Sequence, residues 1–253
     1  MPKKFIIGNW KMQLTHDESV SLAKELKTLL SSKKLPANTE IAVAPDFLSL
    51  AAAAKVLKDT GIVMAAQDGW YEEEGSFTGE VSLRMLKDLG CQYVILGHSE
   101  RRKFLNETDE LINKKITAAL KYGLTPIVCI GETFDQRKDG RKDVVIMQQV
   151  QAALKGIDIK PEQTLIIAYE PVWVIGSGQA IDPAEAVHTT MIIKQSLTDV
   201  LEHQDLPLVK IIYGGSVDAQ NINAFVSSDA IEGALVGGAS LQAEEFIKLI
   251  KQA

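Results

Sequence analysis

The chain has little cysteine, no long apolar run and no excess of basic residues, and each shortage removes a class of protein. Two cysteines in 253 residues, Cys91 and Cys129, are too few for a disulfide framework or a cysteine metal cluster. Cys129 lies inside the apolar run Pro126 to Ile130, and both thiols are expected to be reduced. No apolar stretch approaches the roughly 18 residues of a membrane span. The opening MPKKFIIGNW passes straight into a strand-like run without a signal-peptide core, which predicts a cytoplasmic protein. With 27 Lys and Arg against 33 Asp and Glu, the net charge is -6, so general nucleic-acid binding is not expected and an anionic ligand must be held locally. No Pro-Gly-Ser-rich linker divides the chain. At 46% hydrophobic and 24% charged residues, it reads as one globular domain over residues 1–253.

What is present is an alternation. Short apolar runs recur at Phe5 to Ile7, Ile41 to Ala44, Ile62 to Ala66, Tyr93 to Leu96, Ile127 to Ile130, Leu165 to Tyr169, Val209 to Tyr213 and Ala234 to Val236. Between them lie segments of helical period, such as Asp17 to Leu30 and Asp109 to Tyr122, the latter with Leu111, Ile112, Ile116, Ala119 and Leu120 on one stripe. Near-continuous apolar strands between amphipathic helices indicate parallel pairing with both faces covered. Eight such units in this length predict a closed (β/α)8 barrel rather than an open sheet. The polar stretch Gln67 to Glu80 reads as a long connection within it, of the kind that makes contacts or carries function.

In such a barrel, active groups sit where strands end and the following loops begin. The segment IIAYEPVWVIGSGQ places Glu170 at the lip of the sixth strand, before a loop marked by Pro171, Gly176 and Gly178. Shielded by Trp173 and Ile175, a carboxylate there is suited to take a proton near neutral pH. The fourth strand ends in His98, followed by Ser99 as the expected N-cap of a short helix whose positive end faces the imidazole and disfavours its protonation. The first strand ends in Asn9, Trp10 and Lys11, and Lys11 is the cation that would attract an anion and stabilise an enediolate. Gly214, Gly215 and Ser216 after the seventh strand, with Gly237 and Gly238 after the eighth, expose backbone N–H groups as a phosphate cradle. Each feature alone has an ordinary structural explanation, and their convergence at one barrel end is what points to chemistry.

These residues fall into ordered motifs: NWKM at 9–12, GSFTGE at 75–80, GHSERR at 97–102, VCIGE at 128–132, AYEPVW with IGSG across 168–178, YGGSV at 213–217 and LVGGASL at 235–241. In these motifs the chain resembles the triosephosphate isomerase family along essentially its whole length. The resemblance implies a single TIM barrel that interconverts dihydroxyacetone phosphate and glyceraldehyde 3-phosphate in glycolysis and gluconeogenesis, without metal or organic cofactor. It implies Glu170 as proton-transferring base, His98 as electrophile and Lys11 as electrostatic partner. Asn9 would position substrate, and Gly176, Ser216, Gly237 and Gly238 would bind its phosphate. The loop from Pro171 to Gly178 would close as a lid, latched by Tyr213 and Ser216. A homodimer is implied, with the loop around Thr78 inserting beside Asn9, Lys11 and Glu100 of the second copy.

The chain departs from the family pattern at a few positions. Gln13 stands where Asn is usual, and in the lid Val174, Ser177 and Gln179 stand for the commoner Ala, Thr and Lys. The competing readings are another phosphosugar isomerase or aldolase on the same barrel, and a catalytically silent interaction protein. The second predicts loss of Lys11, His98 or Glu170, and all three are present.

Overall fold

Eight parallel strands close on themselves in sequence order, each hydrogen-bonded to its two neighbours, in a computed structural model that describes residues 3–31 and 36–253. The strands are β1 (Lys4–Asn9), β2 (Thr39–Ala44), β3 (Ile62–Ala66), β4 (Cys91–Leu96), β5 (Thr125–Ile130), β6 (Leu165–Tyr169), β7 (Val209–Tyr213) and β8 (Gly233–Val236). The helices between and after them are α1 (His16–Ser31), α2 (Phe47–Leu57), α3 (Leu83–Asp88), α4 (Ser99–Leu105), α5 (Asp109–Lys121), α6 (Phe134–Lys138), α7 (Lys142–Leu154), α8 (Pro183–Leu197), α9 (Ile222–Val226) and α10 (Ala243–Gln252). All eight expected strands are present, and the (β/α)8 barrel is the observed architecture.

The apolar runs hide a period of two. Phe5, Ile7, Tyr93, Ile95, Ile127, Cys129, Ile166, Ala168 and Ile212 form one core cluster, while their strand neighbours Ile6, Val94, Val128, Ile167 and Ile211 join a second cluster with the helices. Because both faces are buried along most of each strand, polar residues such as Lys4, Glu40, Gln92 and Lys210 fall near the strand starts, and the rest reads as continuous hydrophobicity. Large side chains on β1 and β4 are balanced in the first cluster by Ala42, Ala44, Ala65 and Ala168, which keeps it close-packed. The ring closes where Phe5 pairs with Gly233. A Cβ on Gly233 would lie 1.9 Å from the Phe5 carbonyl oxygen, so only glycine admits the last strand at that distance.

Both cysteines are buried: Cys91 at the start of β4 and Cys129 near the end of β5. Burial pushes the Cys91 thiol up to about 11 and the Cys129 thiol well above its ordinary value. Among the described residues, no helix is long and apolar enough to cross a membrane.

Candidate active site

At the ends of the strands lies a cleft of about 340 Å³ that Asn9, Lys11, His98, Glu170, Gly176, Ser216, Gly237 and Gly238 all line. Eight residues singled out from five separate stretches of sequence thus share one surface. Glu100 adjoins it through Lys11 and His98, whereas Tyr213 is buried beneath Gly215 with its ring stacked on Phe225 at 4.2 Å. Thr78 lies exposed on the projecting segment 67–80. That segment is stiffened by the Trp70 ring packing on Tyr71 and Phe77, at 4.7 and 5.4 Å between centroids.

Glu170 immediately follows β6 and is 1% exposed. Its Oε2 accepts a hydrogen bond from the Ser99 backbone N–H at 2.9 Å, and its Oε1 lies 3.1 Å from His98 Nε2, close enough to touch but without hydrogen-bond alignment. Ser99 is not the N-cap expected from the sequence. His98 caps α4, with extended backbone angles and its Nδ1 accepting from the Glu100 N–H at 3.3 Å, while Ser99 is already helical. The physical reason is that the Ser99 N–H at the helix start is taken by the Glu170 carboxylate, so the ring one residue earlier satisfies the next free donor. A nitrogen that accepts from N–H uses its lone pair, so this contact assigns the proton of the ring to Nε2, on the side of the cleft. The Glu100 carboxylate is also 3.5 Å from Nδ1, but it is 43% exposed and Lys11 holds its other oxygen, so the nearer backbone donor decides the tautomer.

Lys11 adopts φ 53°, a left-handed conformation uncommon for a residue with a side chain. Three bonds hold it there. Its N–H donates to Asn9 Oδ1 at 3.0 Å, its carbonyl accepts from Gln67 Nε2 at 2.8 Å, and its Nζ donates to Glu100 Oε1 at 2.6 Å. Gln67 also donates to the Ala44 carbonyl at 2.9 Å, so one amide ties the ends of β1 and β2. The opposite wall is backbone. Gly237 and Gly238 lead into a 3-10 turn over Gly238–Leu241, pinned by Ser240 Oγ donating to the Gly237 carbonyl at 2.7 Å.

The segment after Glu170 forms a 3-10 turn over Val172–Val174, then passes through Gly176 and Gly178 at φ 74° and 73°. It is anchored to the end of β5 by Trp173 Nε1, which donates to Glu132 Oε1 at 3.0 Å, with the Tyr169 hydroxyl on Glu132 Oε2 at 3.2 Å and the Arg137 guanidinium 4.6 Å over the indole. Burial holds the Glu132 carboxyl above its ordinary value, only partly offset by these donors. A carboxyl with a raised folded-state pKa binds more protons folded than unfolded. Its contribution to stability is therefore lost as pH rises from the ordinary glutamate range through the raised value. Glu132→Gln is expected to flatten that part of the curve relative to the parent, as thermal melts across the same pH range would show. Equal slopes in both proteins would contradict the raised value.

Beside the site lies a buried charge cluster. Lys115 on α5, fully buried, donates to both oxygens of Asp68 at 2.8 and 2.9 Å and pairs with Glu107. Arg101 on α4 completes it, 2.8 Å from Asp68 and 3.2 Å from Glu107. Four charges thus tie the base of the projecting 67–80 segment to the helix that carries Glu100 and to α5. Burial raises the Asp68 pKa, and the neighbouring Lys115 works against that shift.

The comparison with known proteins bears on the whole of this arrangement. The family model described as triosephosphate isomerase matches residues 4–253. The chain belongs to the triosephosphate isomerase family. Proteins of that name from Dictyoglomus thermophilum, 44% identical over 251 residues, and Caldanaerobacter subterraneus subsp. tengcongensis, 43% identical over 250, are matched over 99% of this chain and 100% and 99% of their own. The one from Chloroherpeton thalassium is 43% identical over the full length of both chains. Of the departures from the triosephosphate isomerase pattern, Gln13 lines the cleft and Val174 is the buried residue of the 3-10 turn after Glu170. The Ser177 hydroxyl donates to the Val174 carbonyl at 2.8 Å and accepts from the Gln179 N–H at 3.1 Å. The roles of the Ser99 N–H, Gln67, the Glu132 anchor and the buried cluster follow from contacts between distant parts of the chain and are not marked by the sequence pattern. Lys115 did leave a signal: it sits at helical spacing between Ile112, Ile116 and Ala119, on the face α5 buries.

Proposed function

We propose that this chain is a triose-phosphate isomerase that interconverts dihydroxyacetone phosphate and D-glyceraldehyde 3-phosphate as a step of glycolysis and gluconeogenesis. The observation that carries the reading is the buried Glu170 carboxylate, poised against the Ser99 N–H and His98 Nε2 at the edge of a cleft whose far wall is exposed glycine backbone. Substrate enters between them. Glu170 takes the proton from the carbon next to the carbonyl, and its conjugate acid returns it to the neighbouring carbon, so no atom is gained or lost. His98 donates from Nε2 to the oxygen that becomes anionic and relays the proton between the two substrate oxygens. Lys11 supplies the positive charge against the enediolate, and Asn9 supports the Lys11 backbone. The N–H groups of Gly176, Ser216, Gly237 and Gly238 take the phosphate, which explains how an acidic protein holds an anion. The lid excludes water, with Ser216 and Tyr213 as the latch. A larger phosphosugar is not favoured, because the family match runs the full length of the chain. Purified protein in a coupled assay that consumes dihydroxyacetone phosphate should turn over glyceraldehyde 3-phosphate. Cleavage of a larger phosphosugar without isomerisation would overturn the reading.

The chain acts in the cytoplasm as one barrel domain and assembles as a homodimer. Supporting the dimer, Met12 is 93% exposed next to Lys11, and the 67–80 segment projects Thr78 outward on a stiff aromatic base. In the dimer Thr78 reaches beside Asn9, Lys11 and Glu100 of the second copy, so its cost is one of assembly. A bulky cation introduced there meets Lys11 of the other chain. Thr78→Arg is expected to dissociate the protein and to lose activity in step with dissociation. Light scattering with activity at matched concentrations checks this, and a fully dimeric, fully active variant would remove Thr78 from the interface.

A further inference from the structure

We infer that Gln149 is a positioning residue for the catalytic base, acting through the backbone of Gly131. Gln149 is on α7, at helical spacing with the buried Val145, Ile146, Val150 and Ala153, and its amide reaches the tip of β5. There its Oε1 accepts from the Gly131 N–H at 2.8 Å and its Nε2 donates to the Gly131 carbonyl at 3.1 Å. One side chain thus takes both hydrogen-bonding groups of one residue, as a neighbouring strand would.

Gly131 is where β5 touches the base. A Cβ on it would lie 1.6 Å from the Glu170 carbonyl oxygen, so the two backbones are in direct contact. The residues on either side of Gly131 hold the segment on either side of Pro171: the Ile130 carbonyl accepts from the Glu170 N–H at 2.7 Å and the Glu132 carbonyl from the Val172 N–H at 3.1 Å. The orientation of the Gly131 peptide therefore sets where the Glu170 backbone sits and where the lid begins. A cavity of about 310 Å³, lined by Gln149, Gly131, Glu170 and Val172 among others, lies on this side of the contact. The amide bridges its wall and resists movement into it.

With the bridge cut, the tip of β5 relaxes and the carboxylate drifts from the line to His98 Nε2. A displacement of about 1 Å at a reacting group costs up to about 10²-fold in rate, whereas the phosphate wall on β7 and β8 is untouched. The inference rests on the proposed isomerase activity, so the parent is assayed first: an inactive parent defeats that reading, and an active parent with an equally active variant defeats this one alone. Gln149→Met keeps the length and removes both hydrogen bonds. It is expected to lower kcat about tenfold or more, with KM and inorganic phosphate binding changed less than about threefold. Gln149→Glu keeps the acceptor for the Gly131 N–H and should recover part of the lost kcat. A folded Gln149→Met with kcat within twofold of the parent overturns the inference. So does a loss of kcat matched by a rise in KM and weaker phosphate binding, or a Gln149→Glu that does no better than Met, since these are the marks of general structural damage.

Discussion

Glu170→Gln is expected to lower turnover by about 10²-fold or more while the barrel stays folded. The amide is nearly isosteric with the carboxylate and can still accept from the Ser99 N–H, which the carboxylate does at 2.9 Å. It cannot take a proton from carbon. It also has one acceptor where the carboxylate has two, so it satisfies Ser99 or faces the His98 Nε2 proton, not both. In the proposed mode of binding Lys11 and the glycine wall are untouched by the change, so the loss should fall on kcat with KM little changed. Steady-state kinetics of the purified variant, with circular dichroism to establish folding, decide the point. Near-parent turnover in folded protein would mean that another group is the base.

The second large effect is one of stability. Lys115→Met leaves Asp68 and Glu107 buried with only Arg101 between them. Removing one partner of a buried ionic network costs about 3–5 kcal/mol, because the remaining charges stay desolvated and uncompensated. For a chain of this size that corresponds to a fall in Tm on the order of 10 °C. The sign with pH follows from the carboxylates. Burial already raises the Asp68 pKa against the opposing pull of Lys115, and without the lysine the shift grows. The penalty on the charged form is then relieved as pH falls, so the gap in Tm between parent and variant should narrow toward acid pH. A second substitution, Glu107→Gln, should recover part of the loss at neutral pH. Melts of both variants across pH test this, and a parent-like Tm for Lys115→Met would show that the cluster contributes nothing.

The strands were legible because burial on both faces leaves long apolar runs, and the strand ends because glycine, proline and polar residues interrupt those runs abruptly. Legibility failed at single hydrogen bonds. Nothing in HSER tells which of His98 and Ser99 caps α4, because the deciding partner, Glu170, is 71 residues away. Lys115 and Gln149 were passed over for another reason. Both occupy the buried stripe of a helix, yet charged and amide side chains are ordinarily assigned to solvent. The spacing placed them inward, and a polar residue at an inward position is the signal that an ion pair or a backbone clamp awaits it.

The two buried thiols give this protein a built-in clock for its own opening. Only an exposed thiolate attacks an alkylating reagent, and Cys91 and Cys129 are kept from it by burial at opposite ends of the barrel wall. Each alkylation event therefore records an excursion that uncovered one end of the wall. Equal labelling rates at the two positions mean that the barrel opens as one cooperative unit, whereas faster labelling at Cys129 locates the loosest part of the ring beside Glu170. Mass spectrometry of the two peptides reads both ends in one experiment, without an introduced probe.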